Sequence, residues 1–164
     1  MLISRELAKA FNAQIGHEFG ASMQYVSIAA HFSQRQLRLL AKLFFEQADE
    51  EKQHAMKFVQ YLLDTKAELH IPAIPAPTPS FASAEEAVQA ALNWEEEVTK
   101  QITGLMDIAV KENDYLGASF LQWFIDEQLE EVVKMDRLLS IIRQSGERNL
   151  LMVEAYLIHI EKAG

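Results

Sequence analysis

Glu51 and His54 stand three residues apart in the run FFEQADEEKQHAMKF. On a helix that spacing puts both side chains on one face, one turn apart, where they can reach the same ion. Alone, such a pair sits on many solvated helices. Three other segments repeat the anomaly: Glu18, Glu95, and Glu127 with Gln128, Glu130 and Glu131 each interrupt an otherwise apolar stripe near its middle. The conjunction, all at similar depth, is what gives the pair its weight.

A carboxylate taken out of water without a partner costs several kcal/mol, so four or more converging in a core need cations or protons to neutralise them. Lys134 lies near the fourth cluster, and no Arg falls on any stripe. A bound multivalent metal is the economical compensation. Oxygen donors with one imidazole suit iron or manganese, whereas structural zinc usually takes cysteines or several histidines. Glu-x-x-His with a Glu from each of the other helices is the ligand logic of di-iron carboxylate bundles.

Glu96 and Glu97 fall off the stripe that carries Glu95 and read as surface charge, as do His17, His31, His70 and His159 near helix ends or off the stripes. Tyr25, two turns beyond Glu18 on the same face, is placed to hydrogen-bond a ligand or supply an electron, or simply to pack. Trp123 reads as packing.

The elements that must position these groups are helices. Spacings of three and four recur through Leu7, Phe11, Gln14, Glu18, Ala21, Tyr25, Ile28 and Phe32, and again through Leu37, Leu40, Phe44, Gln47, Glu51, His54, Phe58 and Tyr61, fading near Leu69. All four prolines fall in HIPAIPAPTPSF, which rules out a continuous helix there. Ser83 with Glu86 forms a capping box that restarts the pattern through Val88, Ala91, Glu95, Val98, Ile102, Leu105 and Ala109. Asn113 and Asp114 break it, and Leu121, Phe124, Gln128, Glu131, Met135, Leu138 and Ile142 carry it to a stop at Gly146. A shorter segment, about 149–162, places Leu150, Val153, Leu157 and Ile160 on one side and is too apolar to lie alone on a monomer's surface.

Short links make each helix pair antiparallel. The proline-rich link of about 17 residues can stretch to roughly 56 Å, longer than a helix of about 28 residues at 42 Å, so helices two and three can run parallel across a long crossover. The expected fold is all-α: one domain over 1–164, a bundle over about 4–145 and a short fifth helix. A net charge of -9 opposes nucleic-acid or anionic-membrane binding, and no run is apolar enough to span a bilayer. The N-terminus shows no export signal and there is no cysteine, which together predict a cytoplasmic protein.

The segments QIGHEFGASMQYV, FEQADEEKQHAMKFVQYLLD and FLQWFIDEQLEEV resemble motifs of the non-haem bacterial ferritins, and the similarity runs from the first helix through the short fifth one. The resemblance implies that one iron is bound by Glu18, Glu51 and His54, and a second by Glu51 as bridge with Glu95, with Gln128 nearby. It implies a third iron site in Glu50, Glu127, Glu130 and Glu131, and matches Tyr25 to the tyrosine beside the centre. Lys52 stands where bacterioferritins place their axial methionine, and Glu127 is followed by Glu130 rather than completing a second Glu-x-x-His; no haem is expected. Animal ferritins line a threefold channel with an acidic pair where this chain has Ala118 and Leu121.

The function so implied is iron storage: Fe(II) oxidised by dioxygen at a di-iron centre within the subunit, and ferric mineral held in a hollow homo-oligomer of 24 subunits closed by the fifth helix. A rubrerythrin-like di-iron oxidase or peroxidase is the alternative enzyme, weakened by the lack of cysteine. A structural bundle with solvated glutamates is the non-enzymatic one, and it requires the acidic positions to point outwards.

Overall fold

The structure is a computed structural model that describes residues 2–163, with side chains up to His159; Met1, Gly164 and the side chain of Ile160 lie outside the described residues. The regular structure is helical throughout: α1 Arg5–Gln34, α2 Arg38–Asp64, α3 Ala84–Lys111, α4 Tyr115–Ser145, a short 3-10 turn at Glu147–Asn149, and α5 Leu150–Ala163. No helix among the described residues is long and apolar enough to cross a membrane.

Three of the helix starts are capped by the residue the sequence places there. Ser4 accepts from Leu7 N, Ser83 from Glu86 N and Asp114 from Gly117 N. The Glu86 carboxylate turns back to Ala82 N, one residue beyond the N-cap amide that a capping box engages. Helix α2 ends at Asp64, five residues before Leu69, because Lys66 enters the left-handed region; Leu69 instead packs against the core from the extended segment.

Contacts fix the topology. Phe11 meets Phe58 and Tyr25 meets Phe44, so α1 and α2 are antiparallel. Gln14 bonds Gln101 and Tyr25 bonds Glu95, which makes α1 and α3 antiparallel and hence α2 and α3 parallel. The crossover between them runs along α1: Glu68 and His70 are held by Asn12, Pro72 lies over Gly16, Thr78 N bonds Gln24, and Phe81 meets the His31 ring. A Cβ on Gly16 would stand 2.5 Å from Pro72 Cγ, so the close passage of this strap needs the missing side chain.

The core divides into two apolar clusters. One, nearer the chain start, is built on Phe11, Phe58, Leu121 and Phe124; the other, at the opposite end, on Phe32, Phe44, Val88 and Met135. Between them lies a layer of buried polar side chains: Gln14, Glu18, Gln47, Glu51, His54, Glu95, Gln128 and Glu131.

Candidate metal centre

Four helices supply that layer. Position 18 on α1, 51 and 54 on α2, 95 on α3 and 128 and 131 on α4 all fall on stripes whose other members are core residues, so helix packing forces their side chains inward. Ligand atoms of Glu18, Glu51 and His54 lie within 4.8 Å of one another, as do those of Glu51, Glu95 and Glu131. Glu51 belongs to both trios. His54 Nδ1 is 3.1 Å from Glu51 Oε2 and 4.0 Å from Glu18 Oε2. A third trio, Glu50, Glu127 and Glu131, lies toward the surface and shares Glu131 with the second.

Not every acidic position is drawn in. Glu130 is exposed and joins none of the trios, and Glu127 is only half-buried, so the expectation that both interrupt the core stripe is corrected. Glu130 lies about 200° around α4 from Gln128 at 100° per residue, which turns it to the opposite side. Glu96, Glu97, His17, His70 and His159 are exposed as expected. His31 is not a surface residue: it is buried with its ring edge-on to Phe32 and Phe81 and its Nδ1 2.9 Å from Arg35 Nη1, because the crossover covers that side of α1. Trp123 is half-exposed rather than simply packed; its ring meets the edge of His54 at 5.4 Å and carries Lys57 Nζ 3.9 Å above it. Leu121, by contrast, is fully buried.

Amides hold the carboxylates. Gln14 donates to Glu18 at 3.0 Å, Gln47 to Glu51 at 3.3 Å and to Glu131 at 2.6 Å, and Gln128 to Glu95 at 3.0 Å. Tyr25 donates its phenol to the other oxygen of Glu95. Sequence reasoning placed Gln14 and Gln47 on the stripes without giving them a role. The signal was present: each stands four residues before an inward glutamate, the spacing at which an amide reaches a carboxylate on the next turn.

Electrostatics show what the layer lacks. Burial, and then the neighbouring Glu51, push the Glu18 carboxyl well above the usual carboxylate range. Burial and Glu95 do the same to Glu51; burial raises Glu95 less far because Tyr25 and Gln128 donate to it. Burial lifts Glu131 to about 7 against the opposing pull of Lys134. Each shift records an anionic form short of positive charge. Glu18 Oε2 and Gln128 Oε1 are buried with no hydrogen-bond partner, two oxygen lone-pair sets left free in the interior. Carboxylates, one imidazole and unpartnered oxygens suit a hard divalent or trivalent cation, and these groups are placed to hold one.

Comparison with known proteins shows the family. Residues 8–145 match the family model described as a ferritin-like domain. The chain is 44% identical over 144 residues to ferritin BfrB of Mycolicibacterium smegmatis, covering 88% of this chain and 79% of that one. It is 34% identical over 146 residues to the bacterial non-heme ferritin of Staphylococcus aureus, covering 89% and 88%. Among solved structures, the open-pore ferritin of the hyperthermophilic archaeon Archaeoglobus fulgidus superposes with a TM-score of 0.90 at 30% identity, covering 94% of this chain and 96% of that one.

Proposed function

The chain belongs to the ferritin family, and from that premise we propose that it is a ferroxidase that oxidises Fe(II) with dioxygen and stores the ferric product in a hollow homo-oligomer. The observation that carries the reading is the shared Glu51, common to two buried trios that could each hold an ion. Iron is the substrate here. Two Fe(II) ions held side by side each surrender one electron to dioxygen, a two-electron step that a lone ion does poorly.

The protein's part is to bring the ions together and compensate charge. Glu18, Glu51 and His54 would hold one ion, and Glu51 and Glu95 the other with Gln128 alongside. Ion binding displaces the protons that burial keeps on Glu18 and Glu51. Tyr25 stays protonated, its phenol pushed well above its ordinary range by burial and by Glu95, and orients that carboxylate by donating to it. Glu50, Glu127 and Glu131 form the third site of the reading, without Glu130. Predominantly carboxylate ligation lets ferric ion leave toward the cavity.

The whole chain acts as one domain in this reading, in a cytoplasmic shell of 24 copies. The outward Leu151 and Met152 of α5, exposed in the single subunit, support burial against symmetry mates.

Fe(II) added aerobically to the assembled apoprotein tests the reading through oxygen uptake, ferric absorbance and particle mass. Uptake above the buffer rate with a large, mineral-filled particle is the expected result. Uptake without mineral would favour a rubrerythrin-like oxidase, and uptake at the buffer rate would defeat the ferroxidase claim.

A further inference from the structure

Glu131 is the one carboxylate common to the inner trio with Glu51 and Glu95 and the outer trio with Glu50 and Glu127. What holds it is an amide: Gln47 Nε2 donates to Glu131 Oε2 at 2.6 Å and to Glu51 Oε1 at 3.3 Å. The other end of that amide, Gln47 Oε1, accepts from Lys134 Nζ at 2.7 Å. An ammonium has donors only, so it dictates which end of the amide turns toward it. With Oε1 held by Lys134, the NH2 must face the carboxylates and bridge Glu51 to Glu131, tying the shared carboxylate to the inner trio. The same ammonium stands 3.9 Å from Glu50 Oε2, at the edge of the outer trio.

We propose that Lys134 is a positioning residue that restrains the outer site: through Gln47 it commits Glu131 to the inner pair, and by its charge it opposes a cation among Glu50, Glu127 and Glu131. The inference rests on reading the trios as metal sites. It assigns a direction to their occupancy. The inner pair fills first, and the outer site fills only against a resident positive charge, so an ion there is held loosely and passes on readily. Nothing in this arrangement requires Lys134 to touch the reacting ions.

The test is equilibrium titration of the assembled apoprotein with Co(II) under anaerobic conditions, following the visible absorbance, whose bands report each coordination site. Glu127→Gln identifies the outer step by weakening it, and Glu18→Gln identifies an inner one. In Lys134→Met the outer step is expected to tighten on the order of tenfold at low salt, the effect of one charge several ångströms from a divalent ion, and by less at high salt. The inner step that depends on Glu18, whose trio lacks Glu131, should keep its wild-type affinity. Lys134→Arg, which keeps both charge and donors, should restore the weak outer step, which a merely structural role for the side chain would not require. An outer step unchanged in Lys134→Met, or tightened equally in Lys134→Arg, would overturn the proposal. A wild-type titration with no step sensitive to Glu18→Gln would instead overturn the two-metal reading beneath it.

Discussion

The phenol of Tyr25, fully buried on α1, donates a hydrogen bond to the Glu95 carboxylate on α3, seventy residues away in the chain. The contact joins the apolar cluster built on Phe32 and Phe44 to the polar layer, since the Tyr25 ring packs on Phe44 while its hydroxyl reaches Glu95. Tyr25→Phe keeps the packing and leaves Glu95 Oε1 without that donor. The apoprotein should lose about 1–3 kcal/mol of stability, the penalty for a buried acceptor left unsatisfied. Initial Fe(II) oxidation should slow while the particle still assembles. Thermal unfolding and oxygen uptake, measured on the same preparation, check both halves; unaltered stability would mean that the hydroxyl does not secure Glu95.

The buried carboxylates make apoprotein stability depend on pH in a direction opposite to that of salt-bridged acids. Glu131 titrates at about 7 in the fold against an ordinary 4.5, so between those values the folded chain holds a proton that the unfolded chain has released. Stability from this group is therefore fully present below about pH 4.5 and lost as pH rises through 7, and Glu18, Glu51 and Glu95 shift in the same direction. The Glu131 share is on the order of 3 kcal/mol. The apoprotein Tm should fall between pH 5.5 and 8.5. With Zn(II) bound in place of the protons, the fall should vanish or reverse. An apoprotein Tm that climbs across that range would refute the assignment of these acids to a metal-free, proton-compensated interior.

Much of this layer was legible because carboxylates on apolar stripes conflict with burial, and Glu18, Glu51 and Glu95 announce themselves by that conflict alone. Glu130 misled because four acidic or amide residues in five positions blur the helical period, although the stripe through Phe124, Gln128, Glu131 and Met135 already leaves it out. His31 was illegible for another reason. Its face of α1 turns toward the crossover, and the docking of Phe81 beside it follows from the path of a proline-rich strap that no periodicity describes. The shared role of Glu131 was likewise hidden, since it depends on side-chain reach between two trios rather than on spacing along one helix.

Three helices end in the same motif without a glycine. After α1, Leu37 N bonds Phe32 O and Gln36 N bonds Ser33 O, with Gln36 at φ 62; Lys66 at φ 58 and Asn113 at φ 54 repeat the arrangement after α2 and α3. A Cβ in the left-handed region costs roughly 1 kcal/mol that glycine avoids. Gln36→Gly is therefore expected to raise stability by about 0.5–1 kcal/mol without touching the metal layer. Denaturant unfolding gives the sign directly, and metal stoichiometry should not change.

Helix α2 begins at Leu37 with no side chain of its own to cap it, and Glu154 of α5 fills that role. Its carboxylate accepts from Leu39 N at 2.8 Å and from Leu40 N at 2.9 Å, an anion seated where the helix dipole is positive. Among the described residues, Leu150, Val153 and Leu157 pack α5 against the apolar cluster built on Phe32 and Phe44. Glu154→Ala should lower stability by about 1–2 kcal/mol, and Glu154→Gln by less, because the amide oxygen still accepts but brings no charge. The cap ties the orientation of α5 to the start of the helix that carries Glu51 and His54, so its loss should also loosen α5. Amide hydrogen exchange across Val153–Tyr156 should quicken in the alanine variant, and native mass should show a larger fraction of incomplete particles if α5 joins neighbouring subunits. Exchange that stays as slow as in the wild type would mean that apolar packing alone seats the fifth helix.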